Sequence, residues 1–254
     1  MVTLEKFRSY KTLFFQYRTS RFGILKFAGL SVLIVLLGIS AKPEWIVLAL
    51  NFVFVFVSMF VFRWIDDAWS FYQDRKQHPD RKYIRSENIR SFFMLGLIIY
   101  ILYQTGLFLY SVVLAQTILI LFLISTILYL AFYKNKQLML LIPLLKYPVF
   151  IWCISNFSMA SEVLFSSVGA FFIMLAVDFF EKYPARTDGI IIKFVLLIIA
   201  GLLVIQPWIE KSNIFPDVVL MVIPLFFILL KRIKALHIFP IIIYPILHMI
   251  DLLN

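Results

Sequence analysis

Eight apolar stretches constrain this chain more than any other feature. Seven lie near residues 23–41, 44–62, 138–155, 161–180, 189–207, 214–230 and 235–251, and the eighth runs from 91 to 132. A helix crossing a bilayer needs about 20 mostly apolar residues, because about 30 Å of hydrocarbon is covered at about 1.5 Å per residue. Each of the seven reads as one span. The run 91–132 is long enough for two, with a tight turn expected near Gln104, Thr105 and Gly106 or slightly beyond. The expectation is an all-α, polytopic membrane protein: a single membrane domain over 1–254 with about nine transmembrane helices. Pro224, Pro240 and Pro245 read as kinks inside the last spans.

Composition supports that class and removes others. The chain is 63% apolar and 15% charged, where a soluble domain carries about 25% charged residues. Disorder requires low hydrophobicity and is excluded. Nucleic-acid binding is not expected despite the net charge of +10, because charge is so scarce. A single cysteine, Cys153, cannot build a disulfide framework and reads as a buried, inert thiol.

Lysine and arginine then set the orientation. Residues 1–22, 63–90, 133–137, 181–188 and 231–234 fall on one side of a nine-span chain and hold 19 of the 24 basic residues. The opposite side holds only Lys42 and Lys211. The N-terminus is therefore expected in the cytoplasm. Residues 1–22 place Phe7, Tyr10, Phe14, Phe15 and Tyr17 among Lys6, Arg8, Lys11 and Arg18. That basic stretch is too long for a secretory signal and reads as an amphipathic segment lying along the membrane surface.

Against so little charge, the placement of the acids is informative. Eight of the 14 lie between Asp66 and Glu87 or between Asp178 and Asp188. Both groups fall at the cytoplasmic edge by the charge count. If the second span continues as a helix, 100° per residue puts Asp67, Ser70 and Asp74 on one face. Asp178 and Glu181 are three apart and share a face at the end of the sixth span. Paired oxygen ligands of this kind suit Mg²⁺, a hard ion that bridges to phosphate oxygens. Arg75, Arg81, Lys134, Lys136 and Arg186 are the nearby groups able to hold phosphate charge.

Other features are weaker. His78 has no second His or Cys at ligand spacing, which argues against zinc. Lys146 lies deep in the fifth span beside Tyr147, where a charge is costly unless paired or facing a polar cavity. No G-x-S-x-G, H-E-x-x-H or Walker-type loop occurs.

With these residues in view, the chain resembles the UbiA superfamily of intramembrane prenyltransferases. That family has nine spanning helices, with one acidic motif ending the second and another ending the sixth. Its first motif, (N/D)-D-x-x-D-x-x-x-D followed by a basic R-P-D-R loop, is similar to Asp66-Asp67-Ala68-Trp69-Ser70-Phe71-Tyr72-Gln73-Asp74-Arg75 and His78-Pro79-Asp80-Arg81. Ser70 stands at the middle acidic position. In the second motif Asp178 and Glu181 fill the first two positions, and Ala185 takes the last. Tyr133, Lys134 and Lys136 look like the family's Tyr and Lys between helices four and five.

The resemblance implies transfer of an isoprenoid chain from an allylic diphosphate to a lipid or aromatic acceptor. It implies Mg²⁺ held by Asp66, Asp67, Asp74, Asp178 and Glu181, with the last four as the catalytic acids. Arg75, Arg81, Lys134, Lys136 and Arg186 are then the diphosphate-binding groups. Ser70 and Ala185 motivate an alternative, a non-catalytic relative that binds or carries an isoprenoid lipid or quinone. The expected location is the bacterial cytoplasmic membrane, as a multi-pass protein with its site facing the cytoplasm.

Overall fold

The computed structural model describes residues 4–39, 44–77, 79 and 89–182. The described chain is helical throughout and contains no strand. In order it forms α1 (Leu4–Arg21), α2 (Ile24–Gly38), α3 (Trp45–Trp69), α4 (Phe71–Gln77), α5 (Ile89–Tyr110), α6 (Val112–Phe132), α7 (Lys136–Leu141), α8 (Lys146–Ile154) and α9 (Ser161–Lys182), with a 3-10 turn at Ile142–Leu144 between α7 and α8. The expected spans 189–207, 214–230 and 235–251, and the loop 183–188, lie outside the described residues.

Among the described residues, α3, α5 and α6 are each long and apolar enough to cross a membrane. A fourth crossing arises if α1 and α2, broken at Phe22–Gly23, count as one bent span. Several long apolar helices make this an integral membrane protein in character. Two expected spans depart from a single straight helix. The stretch 23–41 yields only the 15 residues of α2, about 22 Å at 1.5 Å per residue and short of a bilayer core. The stretch 138–155 is divided into α7, the 3-10 turn and α8. Pro143 stands at the first or second position of that turn, where its missing N–H would leave a helical hydrogen bond unmade.

The run 91–132 does form a helical pair, but the joint lies at Ser111. Helix α5 passes uninterrupted through Gln104, Thr105 and Gly106. The Ser111 side chain accepts from the Leu114 backbone N–H at 3.3 Å and caps α6. The Gln104 amide donates to the Ala115 carbonyl at 2.8 Å, so it ties the pair together instead of turning it. Gly106 has open space where a side chain would go.

The chain divides into two compact units, one drawn from Met1–Phe27 with Phe56–Lys136 and the other from Ala28–Val55 with Gln137–Asn254. The first unit has an aromatic core. Tyr17 of α1 packs on Trp64 of α3 with ring centroids 4.1 Å apart, and Trp64 stacks on Phe92 of α5 at 5.0 Å. Leu13 and Phe71 complete the buried cluster. Gly96 lets Trp64 approach, since a Cβ there would sit 2.5 Å from the indole Nε1. In the second unit α8 packs against α9, and Phe54 meets Phe150 edge to face at 5.9 Å.

Candidate functional site

The first acidic run closes α3 inside the first unit. Adjacent residues on a helix point about 100° apart, so Asp66 and Asp67 serve different neighbours. Asp66 is buried and accepts from the Tyr129 hydroxyl of α6 at 3.2 Å. Trp69, three residues on, stacks on the same Tyr129 with centroids 6.1 Å apart.

Asp67 turns instead toward α1. Its side chain is 2% exposed, and both carboxylate oxygens are engaged. Tyr17 donates its phenol to Oδ2 at 2.8 Å. Arg21, one turn later on α1, donates Nε to Oδ2 at 2.9 Å and Nη2 to Oδ1. Arg63, one turn earlier on α3, brings Nη2 to 3.5 Å from Oδ1. A planar guanidinium gripping both oxygens is the strong form of a carboxylate pair. Tyr17 and Arg21 are i and i+4 on their helix and so share a face.

Asp74 joins the same group. The backbone N–H of Ser70 bonds the Asp66 carbonyl and that of Asp74 bonds the Ser70 carbonyl, each at 2.9 Å. The helical path thus carries through Ser70 into α4 despite the break. As the periodicity predicts, Asp67 and Asp74 reach a common partner: Arg21 Nη2 is also 3.9 Å from Asp74 Oδ2. Arg75 and Lys76 beyond it are exposed.

The remaining expected residues are placed less fully. Asp178 and Glu181 lie in the last turns of α9, and Lys136 opens α7. Lys134 is exposed, with its ammonium 5.4 Å from the Tyr133 ring centroid. His78, Asp80, Arg81, Ala185 and Arg186 lie outside the described residues. Lys146 is buried at the first position of α8, in the second unit, with its ammonium 5.6 Å from the Tyr147 ring centroid.

Two features of the site were not read from sequence. The reading of residues 1–22 as a segment along the membrane surface did not include the burial of Leu13 and Tyr17 of α1 with Trp64 of α3. The partners Tyr17, Arg21, Arg63 and Tyr129 were also not anticipated. The available signal was the i, i+4 spacing of a phenol and a guanidinium on a helix otherwise rich in aromatics.

Whether these residues suit Mg²⁺ can be judged on the donor set. Among the described residues, no three acidic, histidine or cysteine groups are arranged to hold a metal ion. Asp67 is enclosed by one phenol and two guanidinium groups, and Mg²⁺ takes oxygen ligands and keeps its own waters. The described carboxylates do not fit a resident divalent ion as they stand.

Comparison of the chain with protein-family models, with curated proteins and with solved structures finds no match.

Proposed function

We propose that the protein is an intramembrane prenyltransferase of the UbiA kind, moving an isoprenoid chain from an allylic diphosphate to a lipid or aromatic acceptor. The observation that carries the reading is the Asp66-Asp67-x-x-Ser70-x-x-x-Asp74 run at the end of a helix of spanning length, with Asp67 and Asp74 reaching one cation. In this reading the edge faces the cytoplasm of a bacterial inner membrane. Asp178 and Glu181 supply the second acidic pair, and Arg75, Arg81, Lys134, Lys136 and Arg186 receive the diphosphate.

The chemistry asks for three things. Positive charge must meet the departing diphosphate, since stabilising developing charge is usually the largest catalytic term. Water must be kept from the allylic cation. Aromatic faces must attract it. The resemblance supplies the positive charge as Mg²⁺ together with the basic groups, of which Arg75 and Lys134 are exposed. The aromatic requirement accords with a chain that is 18% aromatic.

A second reading is favoured by one observation. Asp67 is already neutralised by Arg21 and Arg63, as suits a relative that binds an isoprenoid lipid or quinone without turning it over. One experiment separates the two. The purified protein is incubated with labelled allylic diphosphates and a panel of lipid and aromatic acceptors, with Mg²⁺ and with chelator. A prenylated product establishes the first reading. Diphosphate or lipid retained without product establishes the second. Neither binding nor product would sink both.

A further inference from the structure

Asp67 at the end of α3 and Asp74 of α4 are arranged around one guanidinium. We propose that Arg21 is the resident cation of this edge, holding Asp67 and Asp74 together so that the edge operates without a divalent metal. The inference concerns the charge built into the protein and does not rest on the prenyl reading.

Three observations carry it. Arg21 touches both carboxylates that a bridging ion would join: Nε and Nη2 take the two oxygens of Asp67, and Nη2 is 3.9 Å from Asp74 Oδ2. Asp67 has further donors on each oxygen, with Tyr17 on Oδ2 at 2.8 Å and Arg63 by Oδ1 at 3.5 Å. A metal ion there would have to displace these donors and sit against two guanidinium groups, which repel it and which proteins do not deprotonate. The charge sum agrees. The carboxylates of Asp66, Asp67 and Asp74 and the guanidiniums of Arg21 and Arg63 leave a single net negative charge, before the exposed Arg75 and Lys76 are added. Ser70, at the middle position of the run, adds no fourth acid.

The role assigned to Arg21 is positioning. It fixes the direction of both carboxylates and anchors α1 on α3. Lysine in its place keeps the charge and loses the two-point grip.

The test uses the whole protein in detergent micelles and Mn²⁺ as the probe, followed by electron paramagnetic resonance. The expected result is no Mn²⁺ binding that depends on Asp74. Binding by the unaltered protein that is lost in Asp74→Asn would overturn the proposal, whereas binding unchanged in Asp74→Asn lies elsewhere and supports it. A second measurement follows the thermal midpoint. Arg21→Gln should lower it, the companion change Asp67→Asn should recover part of the loss, and millimolar Mg²⁺ should recover none. Recovery by Mg²⁺ would show that a metal can take the guanidinium's place and would also overturn the proposal. If Arg21→Gln does not fold, the Mn²⁺ measurement still decides. Neither measurement uses a diphosphate, so failure here and failure of the transfer assay are separate results.

Discussion

The α1–α3 junction and the α5–α6 hairpin lie in the same unit, but different forces hold them. At the junction, a carboxylate removed from solvent is met by a phenol and two guanidiniums, all in a frame of packed rings. The hairpin is mostly apolar surface: Leu102, Leu109, Ile127 and Leu130 are all exposed, as suits helices bathed in lipid. Its ties are few. Tyr100 packs on Phe122 at 4.4 Å, Gln104 bonds the Ala115 carbonyl, and Ser111 caps α6. Charge pairing between residues far apart in sequence marks the first region, and contacts between sequence-adjacent helices with a capped turn mark the second.

Substitutions test that contrast, and the largest effect belongs to the junction. Asp67→Ala takes the buried carboxylate from Arg21 and Arg63 and leaves Arg21 with Asp74 at 3.9 Å, and breaking a buried pair in this way costs about 3–5 kcal/mol. A thermal melt in detergent should show it. A loss under about 1 kcal/mol, the range of exposed pairs, would place Asp67 among ordinary surface acids. Tyr17→Phe keeps the ring on Trp64 and removes only the donor to Asp67. A hydrogen bond to a charged group contributes about 1.5–3 kcal/mol, and the same melt should register a loss of that size. A loss equal to that of Asp67→Ala would mean that the guanidiniums contribute little.

The two glycines of α5 sharpen the comparison further. Gly96→Ala places a Cβ 2.5 Å from Trp64 Nε1 and 2.7 Å from Cδ1, and overpacking of this kind costs about 1–3 kcal/mol. Gly106→Ala meets no atom within 4 Å and should be neutral or stabilising by up to about 1 kcal/mol through helix propensity. Chemical-denaturation curves should therefore show a loss for Gly96→Ala and none for Gly106→Ala; equal destabilisation would refute the unbroken course of α5 through Gly106. Ser111→Ala removes the cap of α6 and should cost about 1 kcal/mol. The expected sign is a small drop in melting point with the helix content of the folded protein unchanged by circular dichroism.

Much of this could be read from the chain, and the failures have definite causes. The apolar run 91–132 announced a helical pair by length alone, and the pair is there. Its joint was misplaced because Gly106 and the polar Gln104 read as a turn. In a lipid-facing helix a glycine costs little when nothing needs to pack on it, and Gln104 finds a carbonyl on the neighbouring helix. The common face of Asp67 and Asp74 followed from helical periodicity and survives the break at Ser70 because the hydrogen bonds across it are kept. Arg21 escaped notice for a different reason. Its partner lies 46 positions away, and periodicity carries no information about which of many basic residues a distant acid will choose. The basic N-terminal segment reads by composition as a surface helix, and composition does not reveal that Leu13 and Tyr17 pack with Trp64 of α3.

The bond between Tyr17 and Asp67 joins residues 50 apart in sequence, and this separation orders events during synthesis. When α1 leaves the ribosome, its partner has not yet been made. Its phenol and guanidinium must wait while α2 and nearly all of α3 are made. The entropic cost of closing so long a loop grows only slowly with its length, so the delay adds little to the cost of docking. α1 is thus made well before the carboxylate that its phenol and guanidinium bind. A chain truncated just before Asp67 would keep the packing of Tyr17 on Trp64 and lose the carboxylate that Tyr17 and Arg21 bind.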